Sequence, residues 1–280
     1  MNSDSDVIIR SGNIRIHNEA GFEGMRRAGK IVASCLDMIA EHVVPGVTTE
    51  HLDNLIREFV LDNNAASATI GYRGFRHASC ISHNHIICHG IPGPRVLNNG
   101  DITNIDVTVV VEGGWHGDSS RMFGVGDVKR KAERLMDVTY ESMMAGIRAV
   151  KPGAKVGDIG GAISAIAAKN RLSVVEDFCG HGLGQVFHDA PNVVHSARAG
   201  TGEILKPGMF FTVEPMLNIG KKDCLTWADG WTAATRDRSL SAQFEHSVGV
   251  TETGVEIFTL SPTGLHTPHN PVFADTVEMP

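Results

Sequence analysis

Four carboxylates and one histidine stand in short contexts that read best as parts of one metal site. Asp106 lies in Asn104-Ile105-Asp106-Val107-Thr108, a strand-like run where aspartate is disfavoured and rarely buried without a partner. Asp118 follows glycines in His116-Gly117-Asp118-Ser119-Ser120. Glu214 sits between Val213 and Pro215 in an apolar stretch, and Glu245 between Phe244 and His246. His181 is bracketed by glycines in Gly180-His181-Gly182-Leu183-Gly184. Such glycines permit close backbone approach, and the run lacks both the lysine of a phosphate loop and the dinucleotide spacing. Taken singly, each has an ordinary reading: a strand-end or turn aspartate, a glutamate paired with arginine, a glycine loop. Taken together, four negative charges that converge would suppress one another's ionisation unless cations offset them. Two divalent ions bring that charge, and carboxylates with one imidazole suit manganese, iron, cobalt or zinc. The chemistry indicated is two-metal hydrolysis.

The elements that must hold these residues follow from hydrophobic spacing. From Glu19 to His42, apolar residues including Met25, Ala28, Val32, Cys35, Leu36 and Ile39 recur at helical intervals, and Pro45-Gly46 ends that helix. A second helix runs from about 49 to 61, with Thr48 or Thr49 as its cap. Strand-like runs follow near 78–82, 86–89, 102–111 and 121–125. The plan then repeats: helices at about 129–150 and 156–170, then strands near 210–213, 217–219, 231–235, 242–250 and 255–259. Val44-Pro45-Gly46 with Leu52 matches Lys151-Pro152-Gly153 with Ile159. Likewise Asn99-Gly100-Asp101 precedes Asp106 as Lys206-Pro207-Gly208 precedes Glu214. Two similar halves are expected, each ending in strands that present a carboxylate. Residues 1–19 read as a polar arm with room for one short strand. A catalytic domain spans 20–261, and an irregular tail, holding four of the eleven prolines, spans 262–280.

Composition narrows the classes. A chain of 280 residues, 42% hydrophobic and 20% charged, can bury a sizeable core. Its net charge of −7 and lack of a basic cluster argue against nucleic acid or an anionic membrane as the main partner. No apolar run is long enough to span a bilayer, and the start Met-Asn-Ser-Asp-Ser-Asp lacks the features of a signal peptide. The five cysteines, Cys35, Cys80, Cys88, Cys179 and Cys224, form no CxxC pair, which fits small core thiols in a reducing cytosol. A cytoplasmic monomer is expected.

Several further segments accompany the five contexts: Cys88-His89-Gly90-Ile91-Pro92, the glycine-histidine run that ends at His188, Lys206-Pro207-Gly208 through Met216, and Asp237 through His246. In order and at compatible spacing, from about Glu23 to about Leu260, these resemble the type I methionine aminopeptidases. The resemblance implies a pita-bread fold of the α/β (α+β) class, with two pseudo-symmetric halves of antiparallel β-sheet covered by helices. It implies metal-dependent removal of the initiator methionine from nascent chains with a small second residue. The chain departs from the family in three places. Asp106 and Asp118 are one residue further apart, with Glu112-Gly113-Gly114 able to hold the extra residue. His85 stands where an acidic residue is common, and the segment after Ser261 is longer than the minimal enzyme needs.

By the same resemblance, Asp118 and Glu245 bridge two divalent ions, Asp106 binds one of them, and His181 and Glu214 bind the other. Glu214 would also accept a proton from the attacking water and pass it to the leaving amine. His89 would contact the substrate backbone near the scissile bond, and His188 would donate to the carbonyl oxygen as it becomes an oxyanion. Tyr72, Phe75, Cys80 and Trp231 would form the methionine pocket, an apolar and aromatic wall suited to a thioether. Asn84, Ile86 and Ser241 match the family's monovalent-cation site. His83 and His85 read as surface or loop residues. The resemblance also allows transient contact with the ribosome. Two rivals stand beside this reading: a proline-specific aminopeptidase or dipeptidase on the same fold, and a non-catalytic relative that binds protein or RNA. The first usually carries a large N-terminal domain, and the second tends to lose ligands.

Overall fold

A computed structural model of the chain describes residues 9–265, so the start of the expected arm and most of the expected tail lie outside the described residues. Helix α1, Glu19–Ala40, begins where the Asn18 side chain accepts the Gly21 N–H at 3.2 Å. Its buried stripe of Met25, Ala28, Val32, Cys35, Leu36 and Ile39 is the one its spacing predicts. Two helical glycines answer a packing demand: a Cβ on Gly24 would lie 2.5 Å from the Trp115 indole, and one on Gly29 would meet the Phe258 carbonyl. Helix α2, Thr49–Asp62, starts with Thr48 accepting from His51 N–H at 3.2 Å.

The second half repeats this plan with α3, Arg130–Arg148, and α4, Val156–Lys169. Backbone bonds make the repeat concrete. Gly46 N–H donates to Leu97 C=O and Leu97 N–H to Val47 C=O; Gly153 N–H donates to Leu205 C=O and Leu205 N–H to Ala154 C=O. Gly100 N–H donates to Val125 C=O, and Gly208 N–H to Val250 C=O. Each half has its own apolar core. One gathers Leu36, Leu52, Ile56, Ile105 and Val107; the other gathers Tyr140, Met143, Ile159, Phe211, Val213 and Phe244.

The central hairpin joins Ile102–Val111 to Trp115–Gly124, in register from Ile102↔Gly124 to Val111↔Trp115. Its loop is Glu112-Gly113-Gly114, whose glycines adopt φ 86° and 78°. Every pairing among the described strands is antiparallel. The halves are stitched where this hairpin meets the C-terminal strands. Glu245 N–H donates to Ser120 C=O at 3.0 Å, Ser119 Oγ to Glu245 C=O at 2.6 Å, and Ser247 Oγ to Asp118 C=O at 2.6 Å.

Several expectations need correction. Residues Ile9–Ser11 and Ile14–Ile16 form a two-stranded hairpin where one short strand is expected. The strand expected at 121–125 begins at Trp115, because the polar and glycine residues ahead of it still pair along the hairpin. The strand expected over 242–250 is broken into Ser241–Gln243 and His246–Val250. His83 is neither surface nor loop: it is buried in Cys80–His83, opposite Thr103.

Candidate metal centre and substrate cleft

Strand alternation delivers the first two carboxylates. Thr108 pairs with Asp118 and Asp106 with Ser120, so Asp106, Thr108 and Asp118 share one face of the hairpin. Thr108 Oγ1 donates to Asp118 Oδ1 at 2.8 Å and holds the carboxylate in place. His181 comes from the short strand Gly180–Gly182 and Glu214 from the residue after strand Phe210–Val213. One side chain ties these two together. Thr212 Oγ1 accepts the His181 N–H at 3.0 Å and donates to Glu214 Oε1 at 2.5 Å. Gln243 Nε2 donates to the other Glu214 oxygen at 3.2 Å, and the Glu214 N–H donates to buried His195 Nε2 at 3.1 Å. Glu245 sits at the break between the two C-terminal strands, bonded to the hairpin through Ser119 and Ser120.

These side chains converge. Ligand atoms of Asp118, His181 and Glu245 all lie within 4.8 Å of one another. His181 Nδ1 is 3.1 Å from the Gly182 carbonyl, which can only accept, so Nδ1 carries the hydrogen. Nε2 then faces Asp118 Oδ2 at 3.5 Å and Glu214 Oε1 at 3.7 Å. Those spans are long for hydrogen bonds, and suit two ligands that share one ion at about 2.0–2.2 Å each. An imidazole oriented by a backbone carbonyl is the usual posture of a metal-bound histidine. The electrostatics agree. Burial, then the neighbouring charges, push Asp106 and Glu245 well above the usual carboxylate range. Burial and Asp118 raise Glu214 to about 7, against the opposing pull of His181 and Thr212. Burial disfavours a charged His181, yet Asp118 and Glu214 outweigh it and hold its pKa above the ordinary value. A donor set this short of positive charge fits divalent cations.

A cavity of about 720 Å³ opens above these groups and takes in all five expected ligands together with His89, His188, Tyr72, Phe75, Cys80 and Trp231. Phe75 and Trp231 meet edge-on with ring centroids 5.0 Å apart, and Cys80 is buried beside them. Burial raises the Cys80 thiol far above its usual pKa, so it is a neutral wall group and not a nucleophile. His89 adopts φ 56° and lies edge-on to Phe178 at 5.4 Å; burial lowers its pKa. His188, at the exposed side, packs against His181 at 4.2 Å and Tyr72 at 5.0 Å between centroids, and burial followed by the His181 charge lowers it to about 4. Both histidines are therefore neutral at pH 7. Asn84, Ile86 and Ser241 lie away from this cavity at the turn before Ile86–Cys88, where Ser241 N–H donates to Asn84 C=O at 2.8 Å and buried Ser241 Oγ has no hydrogen-bond partner.

Thr108, Thr212, Gln243 and His195 gained no role from the sequence. The two threonines were within reach, since each stands two residues from a ligand on a strand and so shares its face. His195 had no such signal, because a long-range backbone contact alone brings it to Glu214.

The pattern of metallopeptidase family M24 matches residues 23–252. A methionine aminopeptidase of Rickettsia prowazekii is 56% identical over 256 residues, covering 91% of this chain and 98% of that protein. The methionine aminopeptidase of Escherichia coli K12 is 47% identical over 249 residues, covering 88% and 94%. The crystal structure of the Rickettsia prowazekii methionine aminopeptidase superposes with a TM-score of 0.87, covering 88% of this chain and all of that one.

Proposed function

Because the chain belongs to metallopeptidase family M24 and to its methionine aminopeptidases, we propose that its substrates are nascent chains with an unblocked methionine ahead of a small second residue. It is a metal-dependent hydrolase that removes N-terminal methionine. The observation that carries the finer reading is one cavity that joins a carboxylate–imidazole cluster to an apolar aromatic wall. Asp106, Asp118, His181, Glu214 and Glu245 would hold two divalent ions, drawn from manganese, iron, cobalt or zinc. When bound, such ions supply Lewis acidity that polarises a carbonyl and acidifies water.

The remaining chemistry belongs to the chain's own residues. Glu214, held by Thr212 and Gln243, accepts a proton from the attacking water and returns it to the leaving amine. His188, neutral and at the cleft's exposed side, donates to the oxygen that gains negative charge. His89 orients the substrate backbone. Tyr72, Phe75, Cys80 and Trp231 enclose the methionine side chain, whose burial contributes roughly 1.5–3 kcal/mol. A monovalent cation at Asn84, Ile86 and Ser241 would brace the turn behind the cleft. Substrates that emerge from ribosomes place the enzyme in the cytoplasm; among the described residues no helix is long and apolar enough to cross a membrane.

The test is turnover of a Met-Ala-Ser peptide by metal-stripped protein with each divalent metal added back. Release of methionine is expected only with metal, with poor cleavage of Met-Lys and Met-Phe starts and none of acetyl-Met. Efficient release of leucine or alanine ahead of proline would replace this specificity with that of a proline enzyme.

A further inference from the structure

We propose that Arg73 is a specificity residue that reads the charge of the substrate's third residue, favouring an acidic side chain there over a basic one. The inference rests on the aminopeptidase reading above and goes beyond it, since the first two residues are met by the pocket and the metal centre.

Among the described residues that line the cleft, Arg73 is the one lysine or arginine. The ligands at the other end are deeply buried, with Asp118 and Glu245 each 3% exposed, whereas Arg73 stands exposed at the mouth. A peptide bound with its first residue beside the ligands must therefore run outward past the mouth. An extended chain advances about 3.5 Å per residue, so its third residue lies about 7 Å beyond the first. The guanidinium is within that kind of reach. It sits 5.4 Å from the centre of the Tyr72 ring, and Tyr72 is stacked 5.0 Å from His188. Arg73 thus shares one aromatic stack with a residue assigned to the scissile carbonyl.

The backbone holds it there. Arg73 has φ 47° between Gly71 and Gly74, both at φ 87°. That conformation is disfavoured for a residue with a Cβ and tends to persist where a side chain must be aimed. Backbone bonds from Gly71 N–H to Phe75 C=O at 2.7 Å and from Phe75 N–H to Tyr72 C=O at 2.9 Å close the loop. Among the described residues Arg73 forms no ion pair, so its charge faces the cleft mouth. Asp189 nearby in the lining is already paired with Arg15 at 2.8 Å. The other charged groups at the exposed rim, Asp177 and Glu203, are acidic and favour a basic chain. A preference for an acid therefore requires contact with Arg73 itself.

The experiment uses the full-length, metal-loaded protein and a series Met-Ala-Xaa with a common amidated tail, where Xaa is glutamate, alanine or lysine. kcat/KM is read by mass spectrometry for wild type, Arg73→Gln and Arg73→Glu. Wild type is expected to favour glutamate over lysine by about two- to fivefold, the strength of an exposed ion pair. The ratio should fall toward one in R73Q, drop below one in R73E, and flatten in wild type at about 0.5 M salt. Should either variant misfold, Arg73→Gly suits the left-handed backbone and carries the same expectation as R73Q. A glutamate-to-lysine ratio that is the same in wild type and in every variant overturns the proposal while leaving methionine release intact. Failure of wild type to release methionine from any of the series overturns the aminopeptidase reading and this one with it.

Discussion

Thr212 illustrates how one side chain can govern the proposed metal site without itself being a ligand. Its hydroxyl receives the His181 N–H and donates to Glu214, so it sets the distance between two expected ligands. Removing such an outer partner typically costs 10–100-fold in metal affinity or activity. Thr212→Val keeps the shape and deletes both bonds, so it should raise the metal concentration needed for half-maximal activity by about that factor. His188→Ala should behave oppositely, because the ring packs on His181 but is assigned to the substrate. Its metal titration should stay near wild type while kcat falls by about 10²–10³. A normal metal titration in T212V, or a shifted one in H188A, would exchange their roles. The contrast also marks what the sequence disclosed. All five expected ligands line one cavity, because each stands in a short context with a chemical reason. Their supporting partners depend on which strand lies beside which, and a threonine on a strand carries no mark that distinguishes support from surface.

Among the elements, the four helices were legible because their apolar period is uninterrupted, and each observed end falls within a few residues of the expected one. The elements that carry the site were harder to read. Gly180–Gly182 has no apolar alternation, and its glycines are there because a Cβ on either would strike the backbone of Thr212 or Ala190. Trp115–Gly124 spends its inward positions on Asp118 and Ser120 where a core strand would carry valine. Chemistry displaces the pattern by which strands are recognised. Helix α1 is anchored by a feature that no pattern announces. Half-buried Asp37 accepts from Arg121 Nη1 at 2.9 Å, Ser261 Oγ at 2.8 Å and Thr263 Oγ1 at 2.7 Å, and so ties the helix to the central hairpin and the C-terminal segment. Burial pushes this carboxyl up, but the Thr263, Ser261 and Arg121 bonds outweigh it and leave its pKa below the ordinary value. A depressed folded pKa gives stability that is present above the unfolded value of about 3.9 and lost as pH falls through the folded one. Asp37→Asn removes the ion partner of buried Arg121, which keeps only its bond to the Leu36 carbonyl at 3.3 Å, and should cost about 1–3 kcal/mol at pH 7. The gap in thermal midpoint between wild type and D37N should then narrow below about pH 4. A gap that stays constant down to pH 3 would show that Asp37 acts through packing alone.

At the scale of the whole molecule, the proposed metal centre lies on the seam between two structurally repeated halves. Asp106 and Asp118 come from the first half, and His181, Glu214 and Glu245 from the second. The seam has its own neutral stitches through Ser119, Ser120 and Ser247, yet it gathers four carboxylates that oppose its closure once ionised. Protein stripped of metal should therefore be strained most where it is most charged. Asp106 and Glu245 have pKa values pushed well above the ordinary range by burial and then by neighbouring charges, and Glu214 is raised to about 7. For carboxyls raised on folding, stability is fully present below the unfolded value of about 4 and is lost as pH rises through the folded ones. The thermal midpoint of stripped protein should fall between about pH 5.5 and 8. Divalent metal binds the folded state and needs deprotonated ligands, so its stabilising shift should grow over the same interval. At about 100 times Kd, one bound ion contributes roughly 2.7 kcal/mol, which for a chain of this size corresponds to a rise of about 5 °C. Glu245→Gln supplies the decisive arm, because it removes one of the crowded charges at constant shape. Stripped E245Q should melt above stripped wild type at pH 8, while its response to metal shrinks. Lower stability of stripped E245Q than of stripped wild type would mean that Glu245 holds the seam together without metal, and that the carboxylate cluster is not a source of strain.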